Sequence, residues 1–178
     1  MSDFSCDVKE NIKRLETSLN VERNFDILQR EVVIAGRRAG FFFIDGFVQE
    51  DTVEKLIQFF YSLKESDMQS LDTFLEKGMP YTEVSRSSNI DNVITQFLSG
   101  VSIMTIDGFD ECLLIDCRTY PMRSVSEPWK DRVLRGSRDG FVETLVSNAA
   151  LLRRRIRDPR FSMELYGIGR RSRSDVAI

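Results

Sequence analysis

Apolar residues recur at helical spacing near the start of the chain: Val8, Ile12, Leu15 and Leu19 fall on one face of a helix predicted over residues 5–19. The period then shortens. In NFDILQREVVIAGRRAGFFFIDGF (24–47), Val32 to Ile34 and Phe41 to Ile44 read as strands joined through Ala35 to Gly40, which predicts a hairpin. Three consecutive phenylalanines leave no polar face, so that strand is expected to be covered on both sides. Full burial of each ring contributes roughly 1.5–3 kcal/mol. Helical spacing returns with Val53, Leu56, Ile57, Phe60 and Leu63, a helix over about 50–64, and in a shorter one over 70–77 stopped by Gly78 and Pro80.

From Tyr81 a related pattern follows: a strand at TEVS (82–85), a helix over 89–98 with Ile90, Val93, Ile94 and Phe97 inward, then strands in VSIMTIDGF (101–109) and ECLLIDCR (111–118). FFFIDGF (41–47) is echoed by IMTIDGF (103–109). In both places Asp-Gly follows a buried strand, where a positive φ is easily adopted. This part is expected to be a compact α/β layer with a mixed sheet.

The composition changes at TYPMRSVSEPWKDR (119–132), whose prolines and hydroxyl residues predict a linker. Beyond it lie a helix over 142–157, with Leu145, Val146, Ala149, Leu152 and Ile156 as its apolar stripe and Asp158-Pro159 as its stop, and a strand–turn–strand in FSMELYGIGRRSRSDVAI (161–178). The division expected is an N-terminal amphipathic helix (1–20), a first α/β subdomain (21–118), a linker (119–131) and the start of a second α/β subdomain (132–178). The fold class is thus α/β, two small subdomains with mixed sheets joined by a linker. Because the chain stops in mid-strand at Ala177-Ile178, it is expected to be a fragment of a longer one, with its second subdomain incomplete.

Charge sharpens this division. Residues 1–117 carry 11 Lys and Arg against 21 Asp and Glu, a net of −10; residues 118–178 carry 14 against 7, a net of +7. The basic part is suited to acidic partners or lipid headgroups, or to neutralising the acidic part across an internal interface. No apolar run approaches the roughly 20 residues that span a bilayer, and the N-terminus lacks a signal-peptide pattern. Three cysteines, Cys6, Cys112 and Cys117, are too few for a disulfide framework, which predicts a reducing compartment. With no histidine, the common zinc patterns and any Ser-His or Cys-His nucleophile are excluded. No catalytic residue, metal or cofactor is assigned.

The loop RGSRDGF (135–141) matches neither phosphate-binding glycine motif, so Gly136 and Gly140 are expected to shape a strand-to-helix turn, with Asp139 near the helix N-terminus. Arg153, Arg154, Arg155 and Arg157 lie near a helix C-terminus, where the dipole favours them, and are expected on a solvated or interface face. Without interleaved aromatics they do not make a nucleic-acid surface. Asp107, Asp110, Glu111 and Asp116 do not match a calcium loop and read as hairpin acids. Cys112 and Cys117, an odd number of residues apart, should face opposite sides of the sheet.

One long stretch is more specific than these patterns. Tyr120-Pro121, Arg123-Ser124, Glu127-Pro128, Arg135-Gly136, Arg138, Gly140-Phe141, Glu143, Asn148, the run Leu151 to Ile156, Pro159, Arg171-Ser172 and Asp175 to Ile178 together resemble the soluble N-terminal region of the GerA family, the A-type subunits of spore germination receptors. The earlier segment FDILQREVVIAGRRAGFFFIDGFVQEDTV is more similar to the stage V sporulation branch of that family than to its nutrient-sensing receptors. The resemblance implies a membrane protein of the spore inner membrane, in which two α/β subdomains precede a transmembrane bundle. It implies partners too: the protein's own membrane part, like subunits in a homo-oligomer, other germination-complex membrane proteins, and in the receptor members a small nutrient. It makes Arg123, Glu127, Arg135, Gly136, Arg138, Asp139, Gly140, Glu143, Asn148, Arg153, Arg154, Arg155, Arg171 and Asp175 candidates for coupling or interface roles.

Overall fold

The computed structural model describes residues 3–48, 50–79, 83–119 and 140–178. The expectations placed on residues 120–139, among them Arg123, Glu127, Arg135, Gly136, Arg138, Asp139 and nearly all of the linker, lie outside the described residues. Helix α1 (Val8–Leu19) starts at Asp7, whose carboxylate accepts from the Lys9 backbone N–H at 2.8 Å. It ends at Asn20 in the left-handed region, with φ 50°. Strands β1 (Ile27–Ile34) and β2 (Arg37–Ile44) are longer than their apolar runs suggested, because only Ala35 and Gly36 separate them. Both have positive φ, 47° and 83°, the geometry of a tight primed turn that matches strand twist.

Helices α2 (Glu50–Ser62) and α3 (Leu71–Gly78) lead to strand β3 (Glu83–Ser87), then helix α4 (Ile90–Leu98) and strands β4 (Ser102–Ile106) and β5 (Cys112–Asp116). The strand order is β1-β2-β4-β5-β3. Every pairing is antiparallel, which corrects the expected mixed sheet. The reason is topological: β3 and β4 run the same way on either side of the α4 crossover, but the hairpin return of β5 inserts between them. The two echoed segments become neighbours, with Phe41 opposite Met104 and Phe42 opposite Ile103.

Strand alternation divides the apolar side chains between two cores. Phe42, Ile44, Ile103, Cys112 and Leu114 pack with Val8, Ile12, Leu15 and Leu19 of α1 and with Val93 and Phe97 of α4. Phe41, Met104, Ile106, Leu113, Ile115 and Cys117 pack with Leu56 and Phe60 of α2 and Leu71 and Phe74 of α3. The phenylalanine run is covered on both sides, and Cys112 and Cys117 belong to opposite cores, as their spacing required.

Helix α5 (Leu145–Arg155) and strands β6 (Leu165–Ile168) and β7 (Ser174–Ala177) complete the described chain. The predicted apolar stripe of α5 is rotated in the structure: Ala149, Ala150 and Arg153 are buried, whereas Ile156 is exposed. An arginine occupies a core position of the helix. Something on the opposing surface must compensate its charge.

Candidate functional site

The compensation comes from the segment between α1 and β1. Asn24 and Asp26 are buried there, although Asp26 stands between Phe25 and Ile27 where an unpaired carboxylate would be strongly disfavoured. Arg153 Nε donates to Asp26 Oδ2 at 2.9 Å and Nη2 to Oδ1 at 2.8 Å, a two-pronged contact between side chains that are both fully buried. Nη2 also donates to Asn24 Oδ1 at 2.8 Å, and Nη1 donates to the Phe161 carbonyl at 2.8 Å. The Phe161 ring lies under the guanidinium, 4.9 Å from ring centroid to Cζ. Excellent geometry and satisfied donors are the conditions under which a buried ion pair is tolerated.

Asn24 extends the joint in both directions. Its Nδ2 donates to the Leu19 and Asn20 carbonyls at 3.0 Å each, which fixes it to the end of α1. Its Oδ1 accepts the Met163 backbone N–H at 3.0 Å, and the Phe25 N–H donates to the Met163 carbonyl at 3.0 Å. These bonds form a short parallel bridge between residues 24 and 163. Next to it, Arg23 Nε donates to Glu164 Oε1 at 2.7 Å. The strands and α5 are thus joined by one polar knot whose members lie more than 125 residues apart.

A second contact lies at the first Asp-Gly turn. Gly46 has φ 79°, and a Cβ there would come within 3.2 Å of both Ala150 Cβ and Val146 Cγ1, so α5 rests against bare backbone. The equivalent Gly108, φ 86°, faces the end of Arg37 instead. The echoed turns therefore have different work: one receives α5, while the other is held to the chain before α1, its N–H donating to the Cys6 carbonyl at 2.8 Å.

Asn148 clamps the entry to α5. Its Oδ1 accepts the Val142 N–H and its Nδ2 donates to the Val142 carbonyl, both at 2.6 Å. Asn11, at the same fourth position of α1, does the same for Ser5 at 2.9 and 2.6 Å. This clamp is why α5 starts at Leu145 rather than at the expected Val142. The remaining candidates are spread out: Gly140 is half-buried, while Glu143, Arg154, Arg155, Arg171 and Asp175 are exposed and not part of the knot. Of the arginine run Arg153 is buried while Arg154, Arg155 and Arg157 are exposed, which corrects its expected solvated placement.

The hairpin acids are engaged separately. Asp107 Oδ1 accepts the Val8 N–H at 3.3 Å, Glu111 pairs with Arg86, and Asp116 with Arg118. Among the described residues, no group of three or more acids or cysteines is arranged to hold a metal ion. Burial pushes the Cys112 thiol far up, and burial followed by the Asp116 charge pushes Cys117 to about 11. Neither is a nucleophile near neutral pH. A cleft of about 640 Å³ opens beside the Gly46 contact, lined by Arg30, Asp45, Glu54 and Gln58 among apolar residues and by Val146 of α5.

Sequence reasoning missed Asn24 and Asp26. The available signal was an acid between two large apolar residues, facing a helix with an arginine at a core position.

Comparison with known proteins accords with this architecture. The chain is 29% identical over 171 residues to stage V sporulation protein AF of Bacillus subtilis, covering 95% of this chain and 35% of that protein. It is 28% identical over 157 residues to spore germination protein GerLA of Bacillus cereus, covering 86% and 32%. It spans about a third of the length of these curated relatives. Its fold matches the crystal structure of the N-terminal domain of the A subunit of the Bacillus megaterium spore germinant receptor GerK3, with TM-score 0.75 and 21% identity over 99% of this chain and 65% of that one. Among the described residues no helix is long and apolar enough to cross a membrane. The model of the Bacillus/Clostridium GerA spore germination proteins matches residues 13–178, from α1 through the arginine knot to β7, and the chain belongs to that family.

Proposed function

We propose that this chain is the N-terminal part of a membrane-embedded germination-complex subunit of the spore inner membrane. It acts by assembly and by passing conformational change between its two subdomains, and thereby couples a signal to ion release. The observation that carries the reading is the Arg153–Asp26–Asn24 knot. A buried ion pair is a poor source of net stability but a good device for fixing one arrangement of two parts, since a shifted arrangement leaves a buried charge unpaired. Such a joint has two states, docked and released. Like subunits and other germination membrane proteins are the partners this role requires. Arg138 and the residues 121–128 belong to the same reading as coupling elements.

The test uses spores that carry the full-length protein with Arg153→Met, and separately with Arg138→Ala. Co-purification reports assembly and release of internal ions reports germination. Loss of either readout is expected; wild-type assembly and wild-type ion release in both variants would remove the proposal.

One observation favours a second reading, in which the domain binds a small nutrient at the boundary of its subdomains. The cleft beside Gly46 gathers Arg30, Asp45, Glu54 and Gln58 next to Val146. Calorimetric titration with amino acids and sugars separates the two. Saturable heat abolished by Arg30→Ala supports binding, and the coupling role alone predicts none.

A further inference from the structure

Strand β1 is an open edge of the five-stranded sheet. In a two-residue hairpin the residues next to the turn exchange both backbone hydrogen bonds, and every second pair repeats the exchange. Ile34, Val32, Arg30 and Leu28 therefore bond to β2, while the N–H and C=O of Gln29, Glu31 and Val33 turn outward. Among the described residues no backbone group outside the hairpin meets those three. The joint to the last third of the chain is at the other end of the strand: Met163 bridges Asn24 just before β1 begins, and Val33 lies about 20 Å beyond Ile27.

The open edge borders a groove of about 460 Å³, lined by Arg30, Val32 and Val33 of β1, Arg38 of β2, and Ile57 and Tyr61 of α2. Val33 is 58% and Tyr61 77% exposed. Unpaired backbone groups beside apolar side chains are what an added strand uses, main-chain bonds giving affinity and alternate side chains giving selectivity. Glu31 is engaged by Arg38 at 3.8 Å, but Arg30 has no ion pair among the described residues. The matching occupant is thus an extended segment with apolar side chains at alternate positions and an acid beside Arg30. A second copy of β1 does not match. Two-fold antiparallel pairing sets one residue opposite itself, and centring it on this strand opposes Arg30 to Arg30 or Glu31 to Glu31.

We infer that β1 receives an extended acidic segment of a partner protein as an added strand, with Arg30 meeting the acid and Val33 and Tyr61 meeting apolar side chains. Neither Val33 nor Tyr61 lines the cleft beside Gly46, and the contact does not involve the Arg153 joint, so it can fail without either.

The test is selection of a displayed library of random twelve-residue peptides on the 178-residue chain, with selected peptides measured by fluorescence anisotropy. They should converge on alternate apolar residues with an acid among them, and their binding should slow amide exchange at Gln29, Glu31 and Val33. Val33→Pro removes an N–H that the hairpin does not use, so it should keep the circular-dichroism spectrum yet weaken binding about tenfold or more. Arg30→Glu should lose these peptides and select basic ones in their place. No enrichment, convergence on peptides without an acid, or equal binding to the Val33→Pro chain would overturn the inference. So would a Val33→Pro chain that elutes as a monomer where the unaltered chain elutes as a dimer, which assigns the edge to a second copy. Binding by the 178-residue chain but not by the full-length protein would overturn it too, assigning the edge to the chain's own continuation.

Discussion

Replacing Arg153 by Met keeps the length and apolar stem of the side chain and removes its charge and donors. Both carboxylate oxygens of fully buried Asp26 then lose their partner, Asn24 Oδ1 keeps only the Met163 N–H, and the Phe161 carbonyl loses its donor. Removing one member of a buried pair costs about 3–5 kcal/mol. That is a large share of the roughly 5–15 kcal/mol that holds a domain folded. In urea, with a slope of about 2 kcal/mol per molar, the unfolding midpoint should fall by about 1.5–2.5 M. The double variant Arg153→Met with Asp26→Leu supplies the control. With both charges gone, most of the loss should return, and the two single effects should be far from additive. A midpoint shift below about 0.5 M in Arg153→Met, or additive single effects, would refute the assignment of a desolvated, mutually dependent pair.

Gly46→Ala should destabilise by about 1–2 kcal/mol from its positive φ, plus the clash with Val146 and Ala150, whereas Gly108→Ala should lose less because only the flexible end of Arg37 must move; urea midpoints rank the two. Toward a maleimide near neutral pH, exposed Cys6 should react in the folded protein while Cys112 and Cys117 stay protected until unfolding, as quantified by mass spectrometry. Arg160 holds the Asp158 carboxyl down at about 2 through a side-chain hydrogen bond. The pair's stabilisation is therefore complete above pH 3.8 and is lost as pH falls toward 2. An NMR titration should find that midpoint and see it return toward 3.8 in Arg160→Ala.

Much of the fold was written in periodicity. The faces of α1, α2 and α4 follow the spacing of their apolar residues, and the run Phe41 to Ile44 announced a strand covered on both sides. Sheet direction was not legible locally: the order of β3, β5 and β4 depends on where the last hairpin inserts, which no single segment encodes. The hairpin turn was misread as six residues because Arg37 and Arg38 break the apolar run, yet strand pairing depends on backbone bonds and continues through them. The site was the least legible. Arg153 looks like its neighbours Arg154 and Arg155 in sequence, and only a buried acid 127 positions earlier distinguishes it. Asn148 stood out through its family motif, but its clamp on Val142 depends on a local loop closure that composition does not reveal.

The central claim is that the knot docks one part of the chain on another and can release it. Amide hydrogen exchange of Arg153→Met against the unaltered protein, followed by mass spectrometry in native buffer, tests this directly. The account predicts exchange faster by about a hundredfold or more in α5 and around Met163, which become less protected than β2, β4 and β5, whose own exchange rises no further than the loss of global stability requires. No change in α5, or α5 remaining as protected as β2, β4 and β5, would contradict it.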